Sequence, residues 1–583
     1  MGRISGIHLE RHKEERRGIQ RHAEVRAMNL DTDRIEMAAR SLCRLELAGS
    51  ITVDVVDTPV DAVSGSPAQV EPAKLNGRSA REVASILLRC YAGDTVFIVR
   101  SPDESYLVRP PFSEVLVFYR QRPSGVVAWS GIYLPDEIAA DTGEWDREYL
   151  GGSLLNPGWI TNRTGFRQIK ELLSGGILSV TDTTVHNYDA MPELVRDVRP
   201  NRSLSFDEAT RLVRDQISNS VAHKTVYGEL GFSIASSGGL DSSVVAVAAA
   251  KIYPESPIHL MNTWRNDDPR SDERIYFAAL ADSIVSISDY IETAHGASRT
   301  DLSPDLFLPS PRPSKMVVAG PLNAKIHRTA EAHGSQVILS GDGGDQLFLR
   351  VTRSILTEQL IREARNPIDK AKAVIGVAIQ QHESLWTTLL DAWSGAGRKH
   401  FTENVLGAHA FKPVPITGRS LGSVPRQPAP GLREIVREDI SRGFQYAGLR
   451  IAEFNRIPLA GTSVYERKPY VFWPLIRLSL QIPRSVHCHA GRDRAVERAV
   501  FADTLPPEIA RRMGKGGGGI ATRFDYRQFA RNLIGSELCT FGLLEQDSLL
   551  ELSQSDAIDD ETVFTLIRAQ ATKEWMDRCA AGQ

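Results

Sequence analysis

The 583-residue sequence has few of the features that mark a metal centre, a disulfide scaffold or a membrane protein. Its five cysteines occur without any Cys-x-x-Cys pair, which argues against zinc sites, iron–sulfur clusters and a disulfide framework. No uninterrupted apolar run approaches the roughly 20 residues of a membrane-spanning helix. The amino terminus turns early into a charged run, residues 11–17, where a signal peptide would have an apolar core. We therefore expect a soluble, cytoplasmic protein without a membrane partner.

The sequence also lacks an excess of charge of either sign. It contains 69 Lys and Arg residues against 72 Asp and Glu residues, which gives a net charge of −3 at pH 7. Nucleic-acid binding normally requires a strong positive field, so we expect no nucleic-acid partner. The apolar content of 42% at this length suffices for more than one hydrophobic core.

One segment carries a clear chemical signal. Residues 232–243 read Phe-Ser-Ile-Ala-Ser-Ser-Gly-Gly-Leu-Asp-Ser-Ser and continue as an apolar stretch, which predicts a strand, a glycine-bearing loop and a helix. Adjacent glycines let the backbone approach an anion, and hydroxyl groups stand beside the unpaired N–H groups of the helix start. No Gly-Lys-Ser/Thr ends this loop, and Asp241 stands where a phosphate-binding lysine would be expected. An acid among phosphates indicates a bridging magnesium ion.

A second loop repeats this plan about a hundred residues later. The apolar residues 337–339 run into Ser340-Gly341-Asp342-Gly343-Gly344-Asp345. Strand and helix patterns alternate between the two loops, with a strand over 258–264 and a helix over 272–284, which predicts a doubly wound α/β sheet. Ligands bind at the carboxyl ends of parallel strands, so we expect both loops to face one crevice. Asp241 and Asp345 would then share one magnesium ion.

The first loop resembles the PP-loop of ATP pyrophosphatases, in particular that of the asparagine synthetase superfamily. The second loop resembles the acidic loop Ser-Gly-Glu-Gly-Ala-Asp-Glu of the same enzymes, and two further stretches, 467–475 and 505–515, resemble its later segments. The resemblance covers roughly residues 205–530. It implies a PP-loop ATP pyrophosphatase domain of the adenine nucleotide α hydrolase-like type, with a parallel sheet and extra helices. It also implies ATP and Mg²⁺ as cofactors and cleavage of ATP to AMP and pyrophosphate.

The resemblance assigns roles to individual residues. Contacts to ATP and pyrophosphate fall on Ser237, Gly238, Gly239, Leu240, Asp241, Ser242, Ser243, Ser340 and Gly341. The magnesium ligands are Asp241 and Asp345, and the catalytic residues are Lys515 and Asp342. Four glycines, residues 516–519, follow Lys515 and predict a flexible loop that closes a cation over the site. The alternative interpretations are an ordinary turn between a core strand and a core helix for the first loop, a calcium loop or a plain turn for the second, and a surface lysine in a disordered turn for Lys515.

Several other polar residues are better explained without a catalytic role. Arg511 and Arg512 are interpreted as solvated helix charges, and Asp267, Asp268 and Asp272 as a solvated acidic turn. His487 and His489 could suggest a metal-binding pair because histidine is a common metal ligand. They are two positions apart, however, and no further ligand residues accompany them. We expect both histidines to be structural.

The first part of the chain differs in character. Strand patterns at 95–100, 114–120 and 125–130 predict hairpins and a β-rich domain over residues 1–195, followed by a second domain over 203–583. This part resembles the αββα sandwich of class II, Ntn-type glutamine amidotransferases, which need a cysteine directly after the initiator Met. Gly2 occupies that position, so the resemblance implies a degenerate domain that does not supply ammonia. The attacking amine then comes from the substrate or a partner.

The sequence Gly-Asp-Gly-Gly-Asp of the second loop resembles the corresponding loop of lasso peptide cyclases. Such an enzyme adenylates an Asp or Glu side chain of a precursor peptide, and the peptide's own amino terminus attacks to close a macrolactam. The expected partners are the precursor peptide, a leader peptidase and a leader-binding protein. The alternatives are a β-lactam or carbapenam synthetase, an ammonia-dependent asparagine synthetase, and an ATP-binding regulatory pseudoenzyme. A tRNA-modifying PP-loop enzyme is disfavoured because no basic patch or catalytic cysteine is visible.

Overall fold

The fold is taken from a computed structural model. It describes residues 27–29, 42–122, 125–155, 159–181, 184–225, 231–265, 272–293, 309–314, 320–349, 360–361, 363–364, 366–381, 383–394, 417, 429–454, 459, 461–512, 525–555 and 558–581.

The first part of the chain forms two antiparallel sheets. One contains β1 (Ala27–Asn29), β8 (Val117–Arg122), β9 (Gly125–Ser130) and β10 (Ile169–Leu172), in the order β1-β9-β8-β10. The other contains β2 (Leu42–Leu47), β3 (Ile51–Val56), β6 (Val96–Arg100), β7 (Ser105–Arg109), β11 (Gly176–Val180) and β12 (Val185–Asp189), in the order β12-β11-β7-β6-β3-β2. The short strands β4 (Val60–Asp61) and β5 (Tyr91–Ala92) pair with each other. The predicted hairpin between 114 and 130 is confirmed, because β8 and β9 pair antiparallel.

The two sheets pack face to face as a sandwich. Alternating apolar residues of both sheets, including Ile98, Leu107, Val117 and Val126, form one buried cluster between them. Helix α2 (Ala80–Cys90) covers the opposite face of the six-stranded sheet. A capping box of Ser79 and Glu82 stabilises the start of this helix. The remaining helices of this part are α1 (Pro72–Leu75), α3 (Asp136–Ala139), α4 (Arg147–Leu155) and α5 (Met191–Asp197). The layers agree with the expected αββα order, while membership of the Ntn type stays a prediction.

The second part is built on a five-stranded parallel sheet, as predicted. Its strands are β13 (Phe232–Ala235), β14 (Ile258–Arg265), β15 (Ser286–Thr293), β16 (Val337–Leu339) and β17 (Tyr465–Arg467), in the order β15-β14-β13-β16-β17. The helices that alternate with them are α6 (Phe206–Thr225), α7 (Leu240–Ile252), α8 (Arg274–Ser283) and α9 (Gly320–Ala332). The direction of strand order reverses between β13 and β16. That switch point is where open α/β sheets bind their ligands.

Most of the described elements after β16 are helices, as expected. They are α10 (Gly344–Leu347), α11 (Pro367–Gln381), α12 (Leu385–Ser394), α13 (Leu432–Glu438), α14 (Ile440–Phe454), α15 (Trp473–Gln481), α16 (Arg484–His487), α17 (Ala495–Ala499), α18 (Pro507–Ala510), α19 (Tyr526–Leu533), α20 (Glu537–Thr540), α21 (Gln546–Gln554) and α22 (Asp560–Ala581), with a 3₁₀ turn at His489–Gly491. Among the helices that the structure describes, none combines the length and apolar character needed to cross a membrane.

Buried contacts join the sandwich to the parallel-sheet part. Trp575 of α22 packs against Trp145 and Phe166, so the last helix covers the outer face of the four-stranded sheet. Lys224 of α6 is 1% exposed and its Nζ lies 2.8 Å from both Asp94 Oδ2 and Glu114 Oε2 of the sandwich. Burying the cation requires these carboxylate partners. The predicted boundary between 195 and 203 stays a prediction, but α22 packs on the part before it.

Candidate active site

The two predicted loops meet at the switch point of the parallel sheet. The PP-loop follows β13 and the second loop follows β16, and these strands are hydrogen-bonded neighbours. Gly341 and Gly344 let the loops touch. A Cβ on Gly341 would lie 2.6 Å from Ser242 N, and one on Gly344 would lie 2.8 Å from Asp241 Cγ. A side chain at either position would push the loops apart.

The PP-loop is shaped by its glycines and hydroxyl groups. Gly238 has a φ of +75°, and a Cβ there would lie 2.6 Å from Phe277 N of α8. Gly238 N donates to Ser236 Oγ and Gly239 N donates to Ser237 Oγ, both at 3.2 Å. These bonds hold the turn in front of the amino terminus of α7, a 13-residue helix whose dipole favours an anion at this end.

Two buried hydroxyl groups of the predicted phosphate site have no hydrogen-bond partner among the described residues. Ser243 Oγ and Ser340 Oγ are buried and accept or donate no hydrogen bond within the described parts of the chain. Buried polar atoms are normally satisfied, so an orphan hydroxyl at a loop indicates a missing ligand oxygen. Both residues belong to the predicted phosphate site. Their geometry fits that prediction, although their roles stay predicted.

The structure brings Asp241 and Asp345 together through a residue that the sequence reasoning missed. Arg494 Nη1 donates to Asp241 Oδ1 at 2.6 Å and to Asp345 Oδ1 at 2.8 Å. The Arg494 side chain is 4% exposed, and its backbone has a left-handed φ of +50° directly before α17. Burial acts against the charged guanidinium, but the surrounding carboxylates raise the pKa of Arg494 above its ordinary value. The two acids therefore converge on one cationic nitrogen.

A buried carboxyl lies behind this acid pair. The Tyr470 hydroxyl is 2.8 Å from Glu497 Oε1 and 3.1 Å from Asp241 O. Burial, together with the negative charge of Asp241, raises the pKa of Glu497 well above its ordinary value. Arg494, Tyr470 and Glu497 thus form a buried network beside Asp241 of the PP-loop.

The predicted catalytic residue Asp342 stands at the mouth of the site. Its side chain is 60% exposed and its Oδ2 lies 3.5 Å from Lys468 Nζ. The Lys468 side chain is 2% exposed and donates to Ala452 O at 2.8 Å. Lys468 follows β17, the strand next to β16, which explains why it reaches the second loop. The sequence contained Lys468 in the stretch 467–475 but gave no sign that it pairs with Asp342.

The predicted catalytic Lys515 and its glycines lie outside the described residues, as do Gly2, Asp267 and Asp268. The chain leading to Lys515 is anchored at the site by Arg512, whose guanidinium stacks 4.1 Å from the Tyr276 ring centroid and pairs with Glu273. The interpretation of Arg512 as a solvated helix charge was therefore wrong; its side chain is 12% exposed.

The remaining polar candidates are structural in the described geometry. His487 is fully buried and its Nε2 lies 3.2 Å from Ser479 O; burial lowers the pKa of this imidazole to about 4. His489 stacks on Phe206 with ring centroids 4.2 Å apart. Asp272 pairs with Arg274 two residues later. The expectation that the two histidines are not a metal pair agrees with these contacts.

The residues at the crevice fit a magnesium ion bound with a polyphosphate. Mg²⁺ prefers oxygen ligands. Asp241 and Asp345 each direct one carboxylate oxygen to the same point, which Arg494 Nη1 contacts in this structure. Magnesium normally keeps water and phosphate ligands besides one or two carboxylates. The orphan hydroxyls of Ser243 and Ser340 are then available to phosphate oxygens.

Comparison with known proteins agrees with this geometry. The model of the asparagine synthase family matches residues 212–579, which is more than half of the chain and contains both loops, Asp342, Lys468 and Arg494. No curated protein has a significant sequence match to the chain. Members of this family use ATP, generally with Mg²⁺, to make amide bonds. The protein therefore belongs to the asparagine synthase family and is an ATP-dependent amide-forming ligase.

Proposed function

We propose that this ligase is a lasso peptide cyclase that closes a macrolactam within a precursor peptide. An Asp or Glu side-chain carboxylate of the peptide attacks the α-phosphorus of ATP, which forms an acyl adenylate and releases pyrophosphate. The amino terminus of the same peptide then attacks the acyl carbon. The amine loses a proton, AMP leaves with the bonding electron pair, and an isopeptide bond remains.

Two features of the sequence support a peptide over ammonia as the source of the amine. Gly2 stands where a class II glutaminase has its cysteine nucleophile, so ammonia from glutamine is not expected. The second loop has the sequence Gly341-Asp342-Gly343-Gly344-Asp345, which resembles the corresponding loop of lasso peptide cyclases. The observation that carries the adenylation step is the convergence of Asp241 and Asp345 beside two orphan hydroxyl groups.

The residues of the crevice fit the first step as follows. The PP-loop backbone and the hydroxyls of Ser242, Ser243 and Ser340 would hold the departing pyrophosphate. Magnesium on Asp241 and Asp345 would neutralise part of its charge. Arg494, which contacts both acids in this structure, would supply a second cation beside the magnesium ion. Asp342 would orient the adenylate or the incoming amine, with Lys468 holding its carboxylate at 3.5 Å.

A cavity in the same part of the chain has room for part of a peptide. It has a volume of about 850 Å³, within the range of small-ligand pockets, and is lined by residues of α11, α16 and the turn at 488–491. Its lining residue Gly491 is three positions before Arg494 in the chain. We propose that the precursor core peptide occupies this cavity. A leader peptidase and a leader-binding protein are proposed as pathway partners by family resemblance.

A sharp test mixes the full-length protein with ATP, Mg²⁺ and a candidate precursor peptide. Mass spectrometry should show loss of one water from the peptide, with one AMP and one pyrophosphate released per ring. Parallel reactions with aspartate and ammonia, and with small β-amino acid substrates, address the asparagine synthetase and β-lactam synthetase alternatives. Turnover of either small substrate in place of the peptide would overturn the proposal. ATP binding with no pyrophosphate release under any condition would support the regulatory pseudoenzyme.

Variants locate the chemistry. Asp241→Asn, Asp345→Asn and Lys515→Ala should each abolish ring closure while the melting temperature stays near that of the wild type. Asp503→Asn is the matched control, because this exposed acid pairs only at the surface with Lys251. Full activity in the first three variants would show that the assigned site is wrong.

A further inference from the structure

A second cluster of ligand-type side chains lies on the parallel sheet, away from the nucleotide loops. His259 is the second residue of β14, Asp289 lies on β15, and His333 lies in the turn between α9 and β16. The potential ligand atoms of all three residues lie within 4.8 Å of one another. This cluster, called here the His-Asp-His cluster, combines residues that are 74 positions apart in the chain and shares no residue with the crevice.

The two imidazoles of the cluster point at the same oxygen. His259 Nε2 lies 2.9 Å from Asp289 Oδ2, and His333 Nε2 lies 2.8 Å from the same atom. The two rings stack with centroids 3.7 Å apart. Two imidazole nitrogens and one carboxylate oxygen that converge on a point are a common metal-binding set.

The cluster also has the supporting shell that metal sites need. The Nδ1 atom of His259 lies 2.6 Å from Ser233 Oγ, which in turn lies 2.6 Å from Ser335 Oγ. A hydroxyl both donates and accepts, so Ser233 Oγ can accept a hydrogen bond from His259 Nδ1–H when Nε2 binds a metal, and can itself donate to Ser335 Oγ. Ser233 is fully buried and fixes the ring orientation of His259 from inside the sheet.

The outer side of the cluster is open to solvent. The side chains of Asp289 and His333 are 38% and 34% exposed, whereas that of His259 is 6% exposed. A metal can reach the three ligands from this side, and water can complete its coordination. Ser233 precedes the PP-loop residue Ser236 by three strand positions, or roughly 10 Å at about 3.3 Å per residue. The cluster is therefore separate from the nucleotide site but lies on the same sheet.

We propose that His259, Asp289 and His333 form a binding site for one divalent transition metal of the zinc type. On binding, the metal replaces the protons shared between the two Nε2 atoms and Asp289 Oδ2, and one or two waters fill the remaining positions. The ion cross-links β14, β15 and the segment that leads into β16. Its function is structural, since it fixes the strands whose ends carry the PP-loop and the second loop.

The test uses the full-length protein after removal of metals with a chelator. Calorimetric titration with Zn²⁺ should give one site per chain, and Co²⁺ should produce the visible absorption of a low-symmetry, four- or five-coordinate ion. Zn²⁺ should also raise the melting temperature in the absence of ATP. His333→Gln and Asp289→Asn each remove one ligand at a partly exposed position and should weaken binding at least tenfold.

Controls separate this site from other histidines of the chain. His186→Gln removes an exposed histidine of the sandwich and should bind Zn²⁺ like the wild type. Ser233→Ala keeps all three ligands and should weaken binding about tenfold through the orientation of His259. Unchanged Zn²⁺ affinity in both His333→Gln and Asp289→Asn would overturn the proposal, as would the absence of stoichiometric binding to the wild type. In either case the cluster is only a hydrogen-bonded junction of the sheet.

Discussion

Arg494 Nη1 donates a hydrogen bond of 2.6 Å to Asp241 Oδ1 and thereby ties the start of α17 to the PP-loop. The same nitrogen contacts Asp345 of the second loop, so one guanidinium group holds the two carboxylates close together. Because this contact crosses 253 residues of sequence, it exists only in the folded chain. It explains how two acids remain close together before a nucleotide arrives.

Replacing Arg494 should impair catalysis more than stability. We expect Arg494→Ala to lower the rate of pyrophosphate release by about 100-fold, comparable to loss of one preorganised donor at a developing charge. Arg494→Lys keeps the charge but loses the planar fork and should be intermediate. Pyrophosphate release with an accepted substrate is the measurement. Arg511→Ala, an exposed arginine on the same stretch of chain, is the control, and equal rates in Arg494→Ala and wild type would contradict the role of Arg494.

Gly341→Ala should separate the two loops. The added Cβ would lie 2.6 Å from Ser242 N, a backbone atom that cannot move without shifting the PP-loop. A displacement of about 1 Å at a reacting centre costs about 100-fold in rate, and we expect that loss here. Gly77→Ala provides the comparison, since it strains a φ of +76° but meets no atom within 4 Å. That variant should lose about 1 kcal/mol of stability and no activity; equal activity in both variants would contradict the prediction.

Lys224→Met should destabilise the junction between the sandwich and α6. The change leaves Asp94 and Glu114 buried without the cation that now lies 2.8 Å from each. Removing one member of a buried ion pair costs about 3 kcal/mol or more. Chemical unfolding monitored by tryptophan fluorescence provides the measurement. Lys251→Met removes a surface ion pair with Asp503 and should change the free energy of unfolding by less than about 1 kcal/mol. Similar losses in both variants would show that the buried triad contributes little.

His487 should make the fold less stable in acid. Burial lowers the pKa of His487 to about 4, whereas an unfolded histidine titrates near its ordinary pKa of 6.5. Between these values the unfolded chain binds a proton that the folded chain does not, so stability falls as pH drops from 6.5 to 4. At pH 5 the loss from this residue is about 2 kcal/mol.

The test compares unfolding free energies at pH 7 and pH 5. His487→Gln keeps a donor for Ser479 O but cannot titrate, so its loss of stability on acidification should be smaller by about 2 kcal/mol. His186→Gln removes an exposed histidine and should follow the wild type. If acidification destabilises His487→Gln as much as the wild type, His487 is protonated in the folded protein as well.

Most of the crevice could be predicted because its residues are local in sequence. The PP-loop and the second loop each join a strand, a glycine turn and a helix within a dozen residues, and the parallel-sheet rule places them side by side. Arg494 and Glu497 could not be predicted this way. Their segment is rich in charge and reads as a solvated helix, and their burial depends on contacts with loops 150 to 250 residues earlier.

The sequence by itself therefore determined the chemistry of the two loops, the parallel sheet and the ATP-dependent ligase family, because short-range patterns of glycine, acid and apolar residues specify these features. Only the tertiary structure decided which charges surround the loops. It placed Arg494 between Asp241 and Asp345, buried Arg512 beside the PP-loop, and gathered His259, Asp289 and His333 on one face of the sheet. The physical reason is that burial changes what a charged side chain requires, and burial is a property of the whole fold.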